Sequence, residues 1–170
     1  MTGTTHLYLR DLQQSVTTAA SSPAGGLRVR QAKRADLLSV YRIEQSAFPQ
    51  PWPFGAFEQY AGQPGFLVAE DGAIVGYVVA DTTPAAHGRP VGHIKDLAVR
   101  EDRRNEGVGS LLLARALSVL SGRVDEIKLE VRESNDPAIA LYRTHGFEYR
   151  QTVPEYYGND EDALVLVRRL

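Results

Sequence analysis

The chain has no cysteine, one methionine, one tryptophan and only three lysines (Lys33, Lys95 and Lys128) in 170 residues. Without cysteine there is no disulfide scaffold, no thiolate zinc site and no cysteine nucleophile. No apolar run approaches the roughly 18 residues that a membrane-spanning helix needs. The opening MTGTTHLYLRDLQQ lacks the cationic and apolar regions of a secretory signal. Neither sign of charge dominates: 19 Lys and Arg against 21 Asp and Glu leave a formal net charge of -2, which is no electrostatic footprint for nucleic acid. The arginine-for-lysine bias reads as a GC-rich coding sequence. What is present, 43% hydrophobic and 24% charged residues, is ordinary for a globular protein. The expectation is one soluble, cytoplasmic domain large enough to bury a core.

Residues 1–26 differ from the rest, because VTTAASSPAGG is small, polar and rich in breakers, as a linker is. The folded domain is therefore expected at 27–170. LRVRQA alternates as a strand. Asp36 is placed to cap a helix with apolar positions Leu37, Val40, Tyr41, Ile43, Ala47 and Phe48. A Pro-broken loop, PQPWPFGAF, restarts as a short helix, and GFLVAE-DG-AIVGYVVADT reads as a hairpin. HIKDLAV is a strand, a helix is expected from Ser110, and EIKLEVRE is a further strand. Asp136-Pro137 opens another helix, which Gly146 stops. FEYRQTV and EDALVLVRRL close the chain as strands around a Tyr-rich Asn-Asp turn.

The segment HIKDLAVREDRRNEGVGSLLLARAL carries the clearest chemical signal. A strand runs through a basic, Gly-containing turn into an apolar helix, which offers unpaired N–H groups and a dipole end to an anion such as phosphate. No Gly-Lys-Ser/Thr is present, so this is not a Walker loop. Leu112 stands where a dinucleotide fingerprint needs its third glycine. The remaining pattern, Arg104-x-x-Gly107-x-Gly109, resembles the coenzyme A diphosphate loop of the GNAT acetyltransferase superfamily.

A second block sharpens the resemblance. LEVRESNDPAIALYRTHGFEYR followed by EYYGNDEDALVLVRRL is similar to the RimI-type N-terminal α-amine acetyltransferases, as is the opening Gly92-His93-Ile94. The resemblance spans about Leu27 to Leu170. It implies an α+β GNAT fold, a central, mixed and splayed seven-stranded sheet flanked by about four helices, with acetyl-CoA as cosubstrate and no metal. It further implies that Leu97, Ala98 and Val99 pair with the pantetheine arm through their backbone. Arg104, Asn105, Glu106, Gly107, Val108, Gly109 and Ser110 would hold the diphosphate, and Asn135 the pantetheine amides. Tyr142 would lie at the thioester sulfur, with Val99 N–H on the carbonyl. Phe48, Trp52, Tyr156 and Tyr157 would line the acceptor groove. Two residues depart from the family: Arg103 where an aromatic is common, and Glu106 where a neutral or basic residue is usual.

Chemistry at three of these positions can be reasoned directly. In IKLEVR, Lys128, Glu130 and Arg132 share one face of the strand, and a mid-strand carboxylate under a helical layer is costly unless paired. Glu130 is thus the candidate base, with His93 a second water-holding group. An α-amine with a reference pKa near 7.7–8.0 is roughly a tenth neutral at pH 7, against under ~0.1% for a lysine, so a carboxylate acting through water suffices for it. For Tyr142, proton transfer from a phenol (~10) to a thiolate (~8.5) is uphill, which favours a hydrogen bond to developing sulfur charge. The expected function is acetyl transfer to a protein N-terminus, a ribosomal protein or a range of Ala, Ser or Met termini, by direct attack. The alternatives are a small-molecule amine acceptor or a non-catalytic coenzyme A-binding module. The expected partner is the acceptor peptide, without nucleic acid or membrane, and the expected state a monomer or weak dimer.

Overall fold

The computed structural model describes residues 26–158 and 161–170. The expected leader, apart from Gly26, and the Asn159-Asp160 turn lie outside the described residues. The strands are β1 (Arg28–Gln31), β2 (Phe66–Asp71), β3 (Ala73–Thr83), β4 (Val91–Val99), β5 (Glu126–Arg132), β6 (Glu148–Tyr157) and β7 (Glu161–Arg169). The α-helices are α1 (Leu37–Ala47), α2 (Phe54–Tyr60), α3 (Val108–Leu120) and α4 (Asp136–Thr144). All seven strands form one sheet in the order β1-β2-β3-β4-β5-β7-β6. Every neighbouring pair is antiparallel except β4 and β5, which run parallel.

Apolar periodicity sends the helices to opposite faces. Leu37, Val40 and Ile43 of α1 and Phe57 of α2 bury against Phe66, Val68, Tyr77 and Val79 on one face. Leu112, Leu113, Ala116, Leu117 and Leu120 of α3 join Ile139 and Tyr142 of α4 against Val78, Ile127 and Leu129 on the other.

Three local expectations change. Asp36 does not cap α1 through its side chain. A 3-10 turn (Arg34–Asp36) precedes the helix, and the Asp36 carboxylate accepts Lys33 N–H at 2.7 Å and the Arg30 guanidinium at 2.7 and 2.9 Å. Helix α3 begins at Val108, two residues before Ser110, because Gly107 adopts φ 81° and starts the helix itself. Strand β6 runs on through Tyr157 by an irregularity between Val153 and Tyr157, with Glu155 at φ 52°. The paired tyrosines therefore end a strand and are not a free turn.

Two irregularities in β4 position the site. Its pairing with β5 covers only Gly92, Ile94 and the residue between them, opposite Ile127 to Leu129, so the strands part beyond that point. Against β3, Val79 pairs with Asp96 but Ala80 pairs with Ile94, leaving Lys95 as an extra residue in β4. Such a bulge reverses the in–out alternation. Ile94 accordingly faces the α3 layer, whereas Ala98 faces the α1 layer.

Candidate active site

Where β4 and β5 part, two cavities meet. The larger, about 630 Å³, is lined by Leu97 to Val99, Arg103 to Asn105, Gly107 to Ser110 and Pro137. The smaller, about 160 Å³, is lined by Trp52, Asp96, Glu130, Tyr142 and Tyr157 among others. Phe48, Leu97, Arg132, Asn135 and Ala138 border both. The gap in the sheet lets side chains from the two helical layers reach one space.

The edge of β4 facing the gap carries backbone groups that β3 does not use, and the Leu97 N–H there meets the Asp96 carboxyl. Arg100 N–H donates to Val75 O at 2.8 Å, towards β3. Antiparallel alternation then turns the N–H and C=O of Leu97 and Val99 away from β3 and into the gap. In agreement, Arg104 Nε donates to Val99 O at 3.2 Å. Only Leu97 of the two borders both cavities.

The turn into α3 forms one wall of the larger cavity. Gly107 has open space where a side chain would project and is required for its φ of 81°. Gly109 has a different reason: a Cβ there would lie 3.3 Å from Leu141 and 3.7 Å from Val99, so its smallness lets α3 approach α4 and β4. Ser110 Oγ is 3.1 Å from His145 Nε2. Glu106 is not among the residues lining the larger cavity. Its carboxylate accepts from Arg103 Nε at 2.6 Å, and Arg103 also reaches Asp71 at 2.8 Å. This pairing offsets the charge that would oppose a diphosphate. Asn135 Oδ1 accepts Ala138 N–H at 3.3 Å and so caps α4, leaving its NH2 for a ligand carbonyl.

Glu130 projects from β5 with 15% of its side chain exposed. Its Oε2 is 2.5 Å from His93 Nε2 and its Oε1 is 3.6 Å from Lys128 Nζ. Burial raises its pKa, but the contacts to His93 and Lys128 outweigh that and hold it below the usual carboxylate value. His93 does not line either cavity and reaches the site through Glu130. Tyr142 is buried and lines the smaller cavity; desolvation, then the Asp96 and Tyr157 charges, push its phenol well up, so it is a donor throughout the accessible pH range. Phe48 and Trp52 line the smaller cavity, Trp52 being packed on Phe57 and Tyr60 at 5.5 and 6.0 Å between ring centres. Tyr157 lines it under the Arg132 guanidinium, which lies 4.0 Å above the ring, and its phenol is pushed up to about 12, first by burial. Tyr156 does not line it: it is 51% exposed and meets Tyr157 edge-on.

Sequence reasoning missed Glu44, Lys95, Asp96 and Arg132, all of which line the smaller cavity. Glu44 had a signal, since it stands four residues after Val40 and seven after Leu37, on the buried stripe of α1. Asp96 had a weaker one, a charge between apolar neighbours in HIKDLAV.

Residues 37–147 match the model of the acetyltransferase (GNAT) family. The chain is similar to an N-alpha-acetyltransferase of Sulfurisphaera tokodaii, 31% identical over 155 residues that cover 84% of this chain and 93% of that one. It is also similar to the [ribosomal protein bS18]-alanine N-acetyltransferase of Escherichia coli, 30% identical over 137 residues, covering 77% and 89%. Among solved structures, Ard1 from Thermoplasma volcanium superposes with a TM-score of 0.76 at 30% identity, over 85% of this chain and 97% of that one. Among the described residues no helix is long and apolar enough to cross a membrane.

Proposed function

The chain belongs to the acetyltransferase (GNAT) family, and from that membership we infer an acetyl-CoA-dependent enzyme that acetylates the N-terminal α-amine of a protein. The observation that carries the reading is the junction of the two cavities at the parted strands, with a coenzyme-sized cradle on one side and Glu130 and Tyr142 on the other. Names of similar proteins, N-alpha-acetyltransferase and bS18-alanine N-acetyltransferase, support the α-amine as the acceptor group. An acceptor of the ribosomal kind would be met in the cytoplasm.

The residues present suit acetyl-CoA. Backbone N–H groups at Gly107 to Ser110 and the Arg104 guanidinium offer donors to a diphosphate. The gap-facing edge of β4 and the Asn135 NH2 offer partners to the amides of an extended arm. Bound there, the coenzyme supplies an activated acetyl group as a thioester. Val99 N–H and Leu97 N–H, the latter at the junction of the cavities and also meeting the Asp96 carboxyl, both face the gap from which the acetyl carbonyl would be polarised. Glu130, acting through water, takes the proton of the attacking amine. Tyr142 donates to the sulfur as charge develops on it. Phe48, Trp52 and Tyr157 flank the acceptor chain, and His93 orients Glu130.

The test is thiol release from acetyl-CoA with peptides beginning Ala, Ser, Met or Glu, against N-terminally blocked peptides that contain lysine. Turnover on free N-termini alone is expected. Turnover on blocked peptides would overturn the α-amine reading, and coenzyme binding without turnover on any amine would overturn the enzymatic one.

A further inference from the structure

Three polar side chains from three elements meet beneath the acceptor cavity: Glu44 of α1, Tyr77 of β3 and Asp96 of the β4 bulge. Glu44 is 1% exposed and Tyr77 fully buried, while Asp96 borders the cavity. The Tyr77 hydroxyl makes a short hydrogen bond to Glu44 Oε2 and lies 2.9 Å from Asp96 Oδ2. Glu44 Oε1 accepts Trp52 N–H at 2.7 Å.

A phenol has one proton and so can donate to only one of two carboxylates. The second contact is a hydrogen bond only if that carboxyl brings a proton of its own. Two desolvated carboxylates around one hydroxyl do not both stay ionised. Desolvation, then the neighbouring Glu44 charge, push Asp96 well above the ordinary carboxylate range, and the Tyr77 phenol is raised too far to lose its proton. The trio therefore carries one proton more than the phenol's own. Other charged or titratable groups around the cavity are Lys95 of β4 itself, Glu130 and Arg132 of β5, Tyr142 of α4 and Tyr157 of β6. Glu130 favours retention of the proton, and the two cations oppose it, Arg132 being already engaged with Glu161 and the Tyr157 ring.

The hydrogen bonds form a line from the strand that carries Leu97 to the loop that carries Trp52. We propose that Asp96 is a positioning residue of the acceptor site, whose shared proton fastens the Trp52 loop to β4 through Tyr77 and Glu44. Loss of that proton leaves two carboxylates facing each other across Tyr77, and their repulsion loosens the wall of the acceptor groove. The assignment of this groove to the acceptor rests on the function inferred above.

Asp96→Asn is the informative variant, because its NH2 supplies a donor at every pH. Trp52 is the chain's one tryptophan, so its emission reports on the loop with no substrate present. In the wild-type protein the emission is expected to titrate over a pH range above that of ordinary carboxylates, and in Asp96→Asn to stay flat. The ratio of wild-type to variant KM for the acceptor peptide should rise by about tenfold or more over that range, as one lost proton per pH unit gives. The matching ratio for acetyl-CoA should not move. Using ratios removes the acceptor amine's own titration, which both proteins meet equally. Stability gives a third readout. A carboxyl raised in the folded state stabilises fully below its unfolded value and loses that stabilisation as pH rises through its folded value. The wild-type melting temperature should therefore fall relative to Asp96→Asn as pH rises. Emission that titrates alike in both proteins, or in neither, overturns the proposal. So does a parallel rise in both KM ratios, or a folded Asp96→Asn with normal KM values and no turnover. Failure of every N-terminal peptide as substrate would instead strike the α-amine reading, with emission and melting still deciding the proton latch.

Discussion

Glu130 is a weak base by its own chemistry: burial pulls its pKa up, yet His93 at 2.5 Å and Lys128 at 3.6 Å hold it below the ordinary value. It is ionised across the neutral range, so it sets no acid limb there. The group that must change state is the acceptor's amine, with its reference value near 7.7–8.0. Activity as kcat/KM should rise with pH and level near the amine's pKa, and the limb should move when a peptide with a different amine pKa is used. A limb fixed across peptides would show that the enzyme sets it. Glu130→Gln keeps shape but loses the proton acceptor, and kcat should fall by about 10²–10⁴-fold with the limb in place. Tyr142 acts at the other end of the reaction. Its raised phenol stays protonated, so Tyr142→Phe should lower kcat on the order of 10²-fold at every pH, with little change in either KM. A drop that disappears at alkaline pH would mean the phenol ionises after all.

The elements around these residues differ in how far their sequence specified them. The turn into α3 was legible because its chemistry is local: one glycine in the left-handed region, N–H groups at a helix start, a preceding strand. Gly107→Ala tests it. An alanine at φ 81° costs about 1–2 kcal/mol, and the turn relieves this by abandoning the geometry that presents its N–H groups. KM for acetyl-CoA should rise about 5- to 30-fold, while KM for the acceptor should not; equal effects on both would make the turn a general structural element. Glu130 was legible from alternation alone, and the residues of β5 face as IKLEVR says they should. The bulge at Lys95 was not legible, since it is a mismatch of register between β3 and β4 and no pattern within HIKDLAV encodes it. For that reason Asp96 was missed. Glu44 was hidden for the opposite reason: its position on the buried stripe of α1 was readable, but a carboxylate there makes sense only with Tyr77 and Trp52 brought to it by the fold. The pairing of Glu106 was not legible, because its partner Arg103 was itself read only as a departure from the family.

At the scale of the whole molecule, the sheet is two blocks held by a narrow seam. Strands β1 to β4 form one block and β5 to β7 the other, and the ladder between them has three residue pairs, Gly92–Ile127 and the two that follow. Beyond those pairs, β4 and β5 each present an edge to the gap, and the residues bordering both cavities come from both blocks and from the loop at Phe48. A coenzyme arm laid along β4 would complete hydrogen bonding that the parted strands leave unmade, and Asn135 and Ala138 would meet it from the other side. Binding should thus close the seam as well as fill a cavity. Coenzyme A at a hundredfold excess over its Kd should stabilise the fold by about 2.7 kcal/mol, a rise in melting temperature of about 5–10 °C for a domain of this size. Amide exchange locates the effect. Protection should grow most at Leu97, Val99 and the turn from Gly107 to Ser110, and little at β1, which lies at the far edge of the sheet. Uniform protection would mean that the ligand only shifts global unfolding. Protection confined to the turn would mean that the arm does not lie along β4, and the N–H groups of Leu97 and Val99 would then lose their place at the acetyl carbonyl.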